Sequence, residues 1–174
     1  MEINMKIFKR LPLGSYILYT AIILAVIALD VITKVLTVEF IEYGESIPVI
    51  KGIVSFSHIH NKGAAWGMLA NHRWVFLVIS TVTVLGMLLY LYLGHAENKL
   101  YGVSLSMIAA GGIGNMIDRI SLGFVIDFIE VKFIDFPVFN TADSFVCIGA
   151  GLLILALVLE LIAESKKQKG KGEK

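Results

Sequence analysis

Four long apolar runs restrict what this chain can fold into more than any other feature. The first extends from about Tyr16 to Leu36 and carries only two charges, Asp30 and Lys34. Trp74–Leu93 and Leu100–Ile117 carry none, and a fourth run begins near Asn140 and ends at Leu159. A hydrocarbon layer about 30 Å thick takes about 20 helical residues to cross. Inside it, backbone polar groups have no water and must pair within their own segment, so each run reads as a helix. The expected fold class is therefore an all-α polytopic membrane protein with four transmembrane helices. The expected spans are about 16–36, 74–93, 100–119 and 140–162, in a single membrane domain over residues 1–174. Composition agrees: 57% of the residues are hydrophobic and 17% charged, far from the balance of a soluble domain.

The first run follows Lys6, Lys9 and Arg10, as the core of a cleaved leader would. It is long, lacks a small-x-small cleavage site and precedes three more runs, so it reads as a retained anchor. Lys166, Lys167, Lys169, Lys171 and Lys174 follow the fourth run. With an even number of spans both basic ends share one side, and Lys/Arg bias makes that side the cytoplasm. The segments from about Thr37 to His72 and from about Ser121 to Phe139 then face outward. Ile53–Ile59 alternates apolar with small or polar residues and suits a strand, within an outer β segment at about 42–66. Gly44 and Pro48 are turn signals before it. Leu122–Phe136 suits either a strand or a helix lying along the interface. A net charge of +1 points to no nucleic-acid partner. Cys147, the single cysteine, reads as a small packing residue.

With this topology the polar residues of the spans collect at one depth, near the outer surface. Asp30 and Lys34 close span one, Asn115, Asp118 and Arg119 close span three, and Asn140 and Asp143 open span four. Asp127 lies in the outer segment between the last two groups, flanked by apolar residues on both sides. Ionisable groups at membrane level are costly to place and are candidates for function. Plainer readings stand beside that one. Asp30 and Lys34, four apart, suit a structural ion pair. Asp118 and Arg119 suit markers of the water boundary, with Arg119 snorkelling. Asn140 suits a helix N-cap, with Asp143 favoured by the helix dipole.

The sequence has no nucleophile-elbow serine or cysteine, no His-Glu-x-x-His helix and no phosphate-binding glycine loop. His58, His60, His72 and His95 show no ligand spacing with nearby acids or Cys, so no metal site and no cofactor are expected. Two carboxylates at one membrane face remain, Asp127 and Asp143. Close carboxylates share a proton. The ionised one deprotonates a water; the protonated one polarises a peptide carbonyl and then protonates the leaving amine. Pepsin-type triplets are absent, since Asp143 is followed by Ser144-Phe145. The Gly-x-Gly-Asp of other intramembrane aspartyl peptidases is absent too, since Gly112-Ile113-Gly114 is followed by Asn115. A transporter is the alternative class, but its polar path would place charges through the bilayer depth, and spans two and three have none in their inner halves. A non-catalytic scaffold would tolerate loss of both Asp127 and Asp143.

In this context the chain resembles bacterial lipoprotein signal peptidase, signal peptidase II. The matching blocks are Asp30-Val31-Ile32-Thr33-Lys34, His60-Asn61-Lys62-Gly63-Ala64-Ala65-Trp66-Gly67, Gly111 through Arg119, Val125-Ile126-Asp127-Phe128-Ile129, and Phe139-Asn140-Thr141-Ala142-Asp143-Ser144. They stand in the family's order; Val31 replaces a common Gln. The resemblance implies that Asp127 and Asp143 are catalytic. It implies supporting or substrate-binding roles for Asp30, Lys34, Asn61, Gly63, Asn115, Asp118, Arg119 and Asn140. It further implies a small extracytoplasmic β-cradle after span one, an outer amphipathic helix between spans three and four, and a place in the bacterial cytoplasmic membrane. The implied partners are prolipoproteins bearing a diacylglyceryl-cysteine, membrane lipid and globomycin-type inhibitors, with the chain a monomer. Gly63, Ala64 and Ala65 offer backbone a close approach to an extended substrate. Gly111, Gly112 and Gly114 suit close helix packing.

Overall fold

The computed structural model describes residues 11–63, 73–96 and 98–172. Its elements run α1 (Leu13–Phe40), β1 (Ser46–Ile50), β2 (Val54–Asn61), α2 (Arg73–Tyr92), α3 (Lys99–Ser121), β3 (Val125–Val131) and α4 (Thr141–Gly172). Among the described residues four helices are long and apolar enough to cross a membrane. Their outward faces are large and apolar, with Leu24, Val35, Val78, Val82, Ile154 and Leu161 all more than 40% exposed. Such stripes are unfavourable in water and natural in lipid.

The central helix is α3, which packs on each of the other three, whereas α1 and α2 barely meet. Small residues make this possible. The buried face of α3 consists of Gly102, Ser104, Ser106, Ala109, Ala110, Gly111, Gly114 and Asp118. Lipid tails are as apolar as Leu, so helices in a bilayer associate through close packing more than through hydrophobic burial. Gly102 lies under the ring of Tyr19, and a side chain at Gly111 would run into the Ala142 carbonyl and Val146. A Cβ on Gly114 would stand 2.5 Å from Asp30 Oδ2. The expected packing role of Gly111 and Gly114 is therefore seen in the structure. Ile23 and Val26 of α1 pack on Ala110, with Leu88, Ile113 and Phe145 around them.

A three-stranded antiparallel sheet, order β1-β2-β3, caps the end of the bundle where α1 and α3 finish and α2 and α4 begin. The expected strand at Ile53–Ile59 is β2. Gly44, at φ 85°, makes the turn before β1, but Pro48 is not a turn residue. It sits inside β1, on the sheet edge, beside a register shift between Pro48 and Ile50. An edge position tolerates its missing N–H.

The outer amphipathic helix expected between α3 and α4 is absent; Val125–Val131 is a strand. The reason is tertiary. Gly123, at φ 86°, ends the helical path after α3. The chain then pairs with β2 from Asn61↔Val125 to Val54↔Val131, satisfying backbone groups that would otherwise leave β2 as an open edge. Phe139 next bridges back onto β3: its carbonyl accepts from Phe128 N at 3.0 Å and Ile129 N at 2.7 Å, and its own N–H donates to Ile129 O at 3.1 Å. That bridge sets the start of α4 directly beside β3.

Candidate active site

The bridge at Phe139 puts Asn140 within reach of two carboxylates that are 16 positions apart. Asn140 is fully buried. Its Nδ2 donates to Asp127 Oδ1 at 2.7 Å and to the Ile126 carbonyl at 3.3 Å. Its Oδ1 accepts from the Asp143 N–H at 3.0 Å, and its own N–H donates to Asp143 Oδ2 at 3.2 Å. These last two bonds form a reciprocal capping box at the start of α4. The N-cap reading of Asn140 is therefore right, and the cap also ties Asp143 to Asp127 through one side chain.

Every carboxylate oxygen of the pair has a donor. Asp127 Oδ2 accepts from Asn61 Nδ2 at 2.8 Å, and Asp143 Oδ1 accepts from Asn115 Nδ2 at 2.7 Å. Behind them lies a buried ionic cluster. Lys34 Nζ is 2.8 Å from Asp30 Oδ2, 2.9 Å from Asp118 Oδ2 and 3.1 Å from Asn115 Oδ1. Asp30 Oδ1 accepts the Ala142 N–H at 2.9 Å, and Asp118 Oδ2 accepts the Ile126 N–H at 3.1 Å. Asp30 and Lys34 are indeed a structural ion pair, but Lys34 has a second acid in Asp118. Asp118 is buried and does not mark the water boundary. Arg119 does not snorkel outward: it donates to the Gly63 carbonyl at 3.1 Å and the Asn115 carbonyl at 3.3 Å, and lies over the Phe76 ring. Gly63 N donates to Asn61 Oδ1 at 2.9 Å. Ala64, Ala65 and His72 lie outside the described residues.

Burial is the largest influence on Asp127 and pushes its carboxyl up to about 7. The Asn61 hydrogen bond draws it down, the Asp143 charge raises it, and Asn140 and Lys34 lower it. A carboxyl so placed holds or releases a proton near neutrality. Beside the pair opens a cavity of about 770 Å³, apolar along α2 and α4, with Asp127, Asp143 and Arg119 in its lining. Cys147 is exposed and lines it, one helical turn beyond Asp143, so it is not the packing residue expected. Among the described residues no group of three or more His, Cys, Asp or Glu is gathered as a metal cage.

This arrangement has relatives. Residues 22–159 match the family model described as signal peptidase (SPase) II. The chain belongs to the signal peptidase II family. It is 37% identical over 154 residues to the lipoprotein signal peptidase of Halalkalibacterium halodurans, covering 87% of this chain and 98% of that one. Two solved structures are similar to it. One is a bacterial membrane enzyme determined in meso at 2.3 Å resolution, with TM-score 0.79 and 32% identity over 88% of this chain and 93% of that one. The other, determined in meso at 1.9 Å resolution, has TM-score 0.75 and 33% identity over 86% and 96%. The chain is thus a multi-pass membrane peptidase.

The structure brings all ten expected site residues into one connected hydrogen-bond network. Reading the sequence missed Phe76, which supports Arg119, and Thr33, whose hydroxyl meets that of Thr141 at 2.9 Å and ties α1 to α4. Thr33 lies within the first matching block and so had a signal. Phe76 had none, because one more aromatic in an apolar span looks like any lipid-facing residue.

Proposed function

We propose that the chain is an aspartyl endopeptidase that removes signal peptides from lipid-modified prolipoproteins, cutting before the diacylglyceryl-cysteine, with Asp127 and Asp143 as its catalytic pair. One observation carries the reading: two carboxylates joined through Asn140 at the polar end of an apolar cavity. Asp127, the carboxyl raised to about 7, polarises the scissile carbonyl and later protonates the leaving amine. Asp143 in its ionised form takes a proton from the attacking water. Asn61, Asn115 and Asn140 hold the two carboxylates; Lys34 holds Asn115, and with Asp30 and Asp118 it ties together the ends of α1, α3 and α4. Arg119 fixes Gly63, and backbone near Gly63 approaches the extended substrate. A signal helix and a diacylglyceryl group suit the apolar cavity walls and need no metal or cofactor. Membrane lipid surrounds the spans, globomycin-type peptides compete for the same cavity, and the chain acts as a monomer. The test is cleavage by the purified chain of a lipid-modified prolipoprotein alongside the same prolipoprotein without lipid. Cleavage of the first alone is expected; equal cleavage of both removes the lipid from the recognition.

The Lys/Arg distribution supports an orientation with both termini cytoplasmic and the sheet outside, and the family supports the bacterial cytoplasmic membrane as its location. Single cysteines introduced at Lys51 and Lys167, in a Cys147→Ala background, should label from the outside and the cytoplasm respectively; the reverse pattern inverts the topology.

A pH dependence follows from Asp127. Its folded value of about 7 lies above the ordinary 3.8, so the proton is present below about pH 7 and lost above it. Turnover should fall as pH rises through about 7, because the general acid disappears. The limbs of the profile belong to the pair. Asn61→Ala removes a hydrogen bond that favours the ionised form, so the alkaline limb should move upward. An unmoved limb would take Asp127 out of the titration.

A further inference from the structure

The outer sheet carries two imidazoles that the peptidase site does not use. His58 and His60 are two residues apart on β2 and so share a face. Their Nε2 atoms are 3.2 Å apart. His58 Nδ1 lies 2.8 Å from the Ile41 carbonyl oxygen. A carbonyl only accepts, so Nδ1 carries the hydrogen and Nε2 keeps its lone pair. His58 is 5% exposed, so that lone pair is turned toward His60 and away from water. The His60 ring is clasped between Phe124, stacked at 3.8 Å between centroids, and Tyr43, at 4.3 Å. With no metal, His60 Nε2–H donates to His58 Nε2.

We propose that His58 and His60 form an open two-imidazole site for a borderline divalent transition metal such as Zn²⁺, Ni²⁺ or Cu²⁺. Metal–imidazole bonds are about 2.0–2.1 Å, and a tetrahedral angle sets two such nitrogens about 3.3–3.4 Å apart. The observed separation of 3.2 Å needs little movement to reach that. The bond from His58 Nδ1–H to a backbone carbonyl is the outer partner that orients a metal-bound imidazole. His60 frees its Nε2 by shifting its proton to Nδ1, so no net proton is lost. Imidazole nitrogen selects these ions over Mg²⁺ and Ca²⁺, which prefer oxygen. Two protein ligands leave the remaining positions to water, and the charge of Lys62, which acts on His60, makes the site weaker than a closed structural zinc centre. Occupancy at His60, one residue before Asn61, ties β2 more firmly beside the end of α1 at Ile41. Spacing to nearby acids and Cys along the chain gives no sign of this pair. It becomes visible once the two-residue repeat of a strand is applied to His58 and His60.

The test is calorimetric titration of Zn²⁺ or Ni²⁺ into the purified, untagged chain in detergent. One equivalent should bind. His60→Phe keeps an aromatic ring between Tyr43 and Phe124 and removes the nitrogens; it should weaken binding more than about 100-fold, since even an outer partner of a bound imidazole is worth about 10–100-fold. His95→Ala should bind as the wild type does. Metal-free His60→Phe should keep wild-type peptidase turnover, showing that the sheet is intact; if turnover falls, His60→Gln is titrated in its place with the same expectation. No binding by the wild type, or binding that survives removal of the His60 nitrogens, overturns the proposal.

Discussion

Asp127→Asn and Asp143→Asn should each lower turnover of a lipid-modified prolipoprotein by at least about 10³-fold while leaving the chain folded. General acid–base groups are worth about 10²–10⁴-fold each, and here each substitution disables one half of a shared device. An amide neither takes a proton from water nor delivers one to the departing amine. The losses should not add: the double variant should be about as inactive as either single one, because the two groups act as a unit. Folding should survive, since Asn keeps the shape of the side chain and one of the two accepting oxygens, so that either Asn61 or Asn140 keeps its acceptor at position 127, and either Asn115 or the Asn140 N–H keeps its acceptor at position 143. The measurement is initial rate on purified protein, with thermal unfolding in detergent as the control. Near-wild-type turnover by either single variant would remove that residue from the catalytic pair, leaving Asp118 as the next carboxylate to test.

Lys34→Met should be the most destabilising single change in the site. Lys34 is 2% exposed, and its ammonium stands against Asp30, Asp118 and Asn115 at once. Removing it leaves two carboxylates in the protein interior without their cation. Breaking a buried pair in this way costs about 3–5 kcal/mol. Asp30→Ala should cost less, because Lys34 keeps Asp118. Adding Asp30→Asn to Lys34→Met should restore part of the loss, and a double-mutant cycle isolates that coupling. Lys34 also has a reach beyond stability. It only donates, so it holds the Asn115 oxygen toward itself and turns the Asn115 Nδ2 to Asp143. Asn115→Ala should therefore lower turnover with little change in unfolding temperature. If Lys34→Met unfolds at the wild-type temperature, the cluster is not what joins α1 to α3 and α4.

The connection between these two predictions explains the small residues of α3. Gly114 lets Asp30 lie against α3, and from there Asp30 reaches both Lys34 and the first turn of α4. A methyl at position 114 would push on the Asp30 carboxylate, so packing and ion pairing are one requirement there.

The sequence by itself determined the four spans, because a bilayer imposes one length and one helical solution on any long uncharged run. It also determined where polar residues cluster, since charges survive in spans only near a boundary or a partner. The matching blocks from Asp30 to Ser144 named the residues of the candidate site. Only the tertiary structure decided what those residues touch. Leu122–Phe136 was open between strand and helix because half of β3 is buried on both faces and shows no alternation; pairing with β2 chose the strand, and no local signal encodes a partner 64 to 77 positions away. Asp118 looked like a boundary charge until β3 brought the Ile126 N–H to it. Asp127 and Asp143 share Asn140 only because Phe139 folds back onto Ile129. Hydropathy is a property of a segment against its solvent and can be read along the chain. A hydrogen bond between two side chains depends on a separation through space, and that exists only once the sheet and the helices have closed on each other.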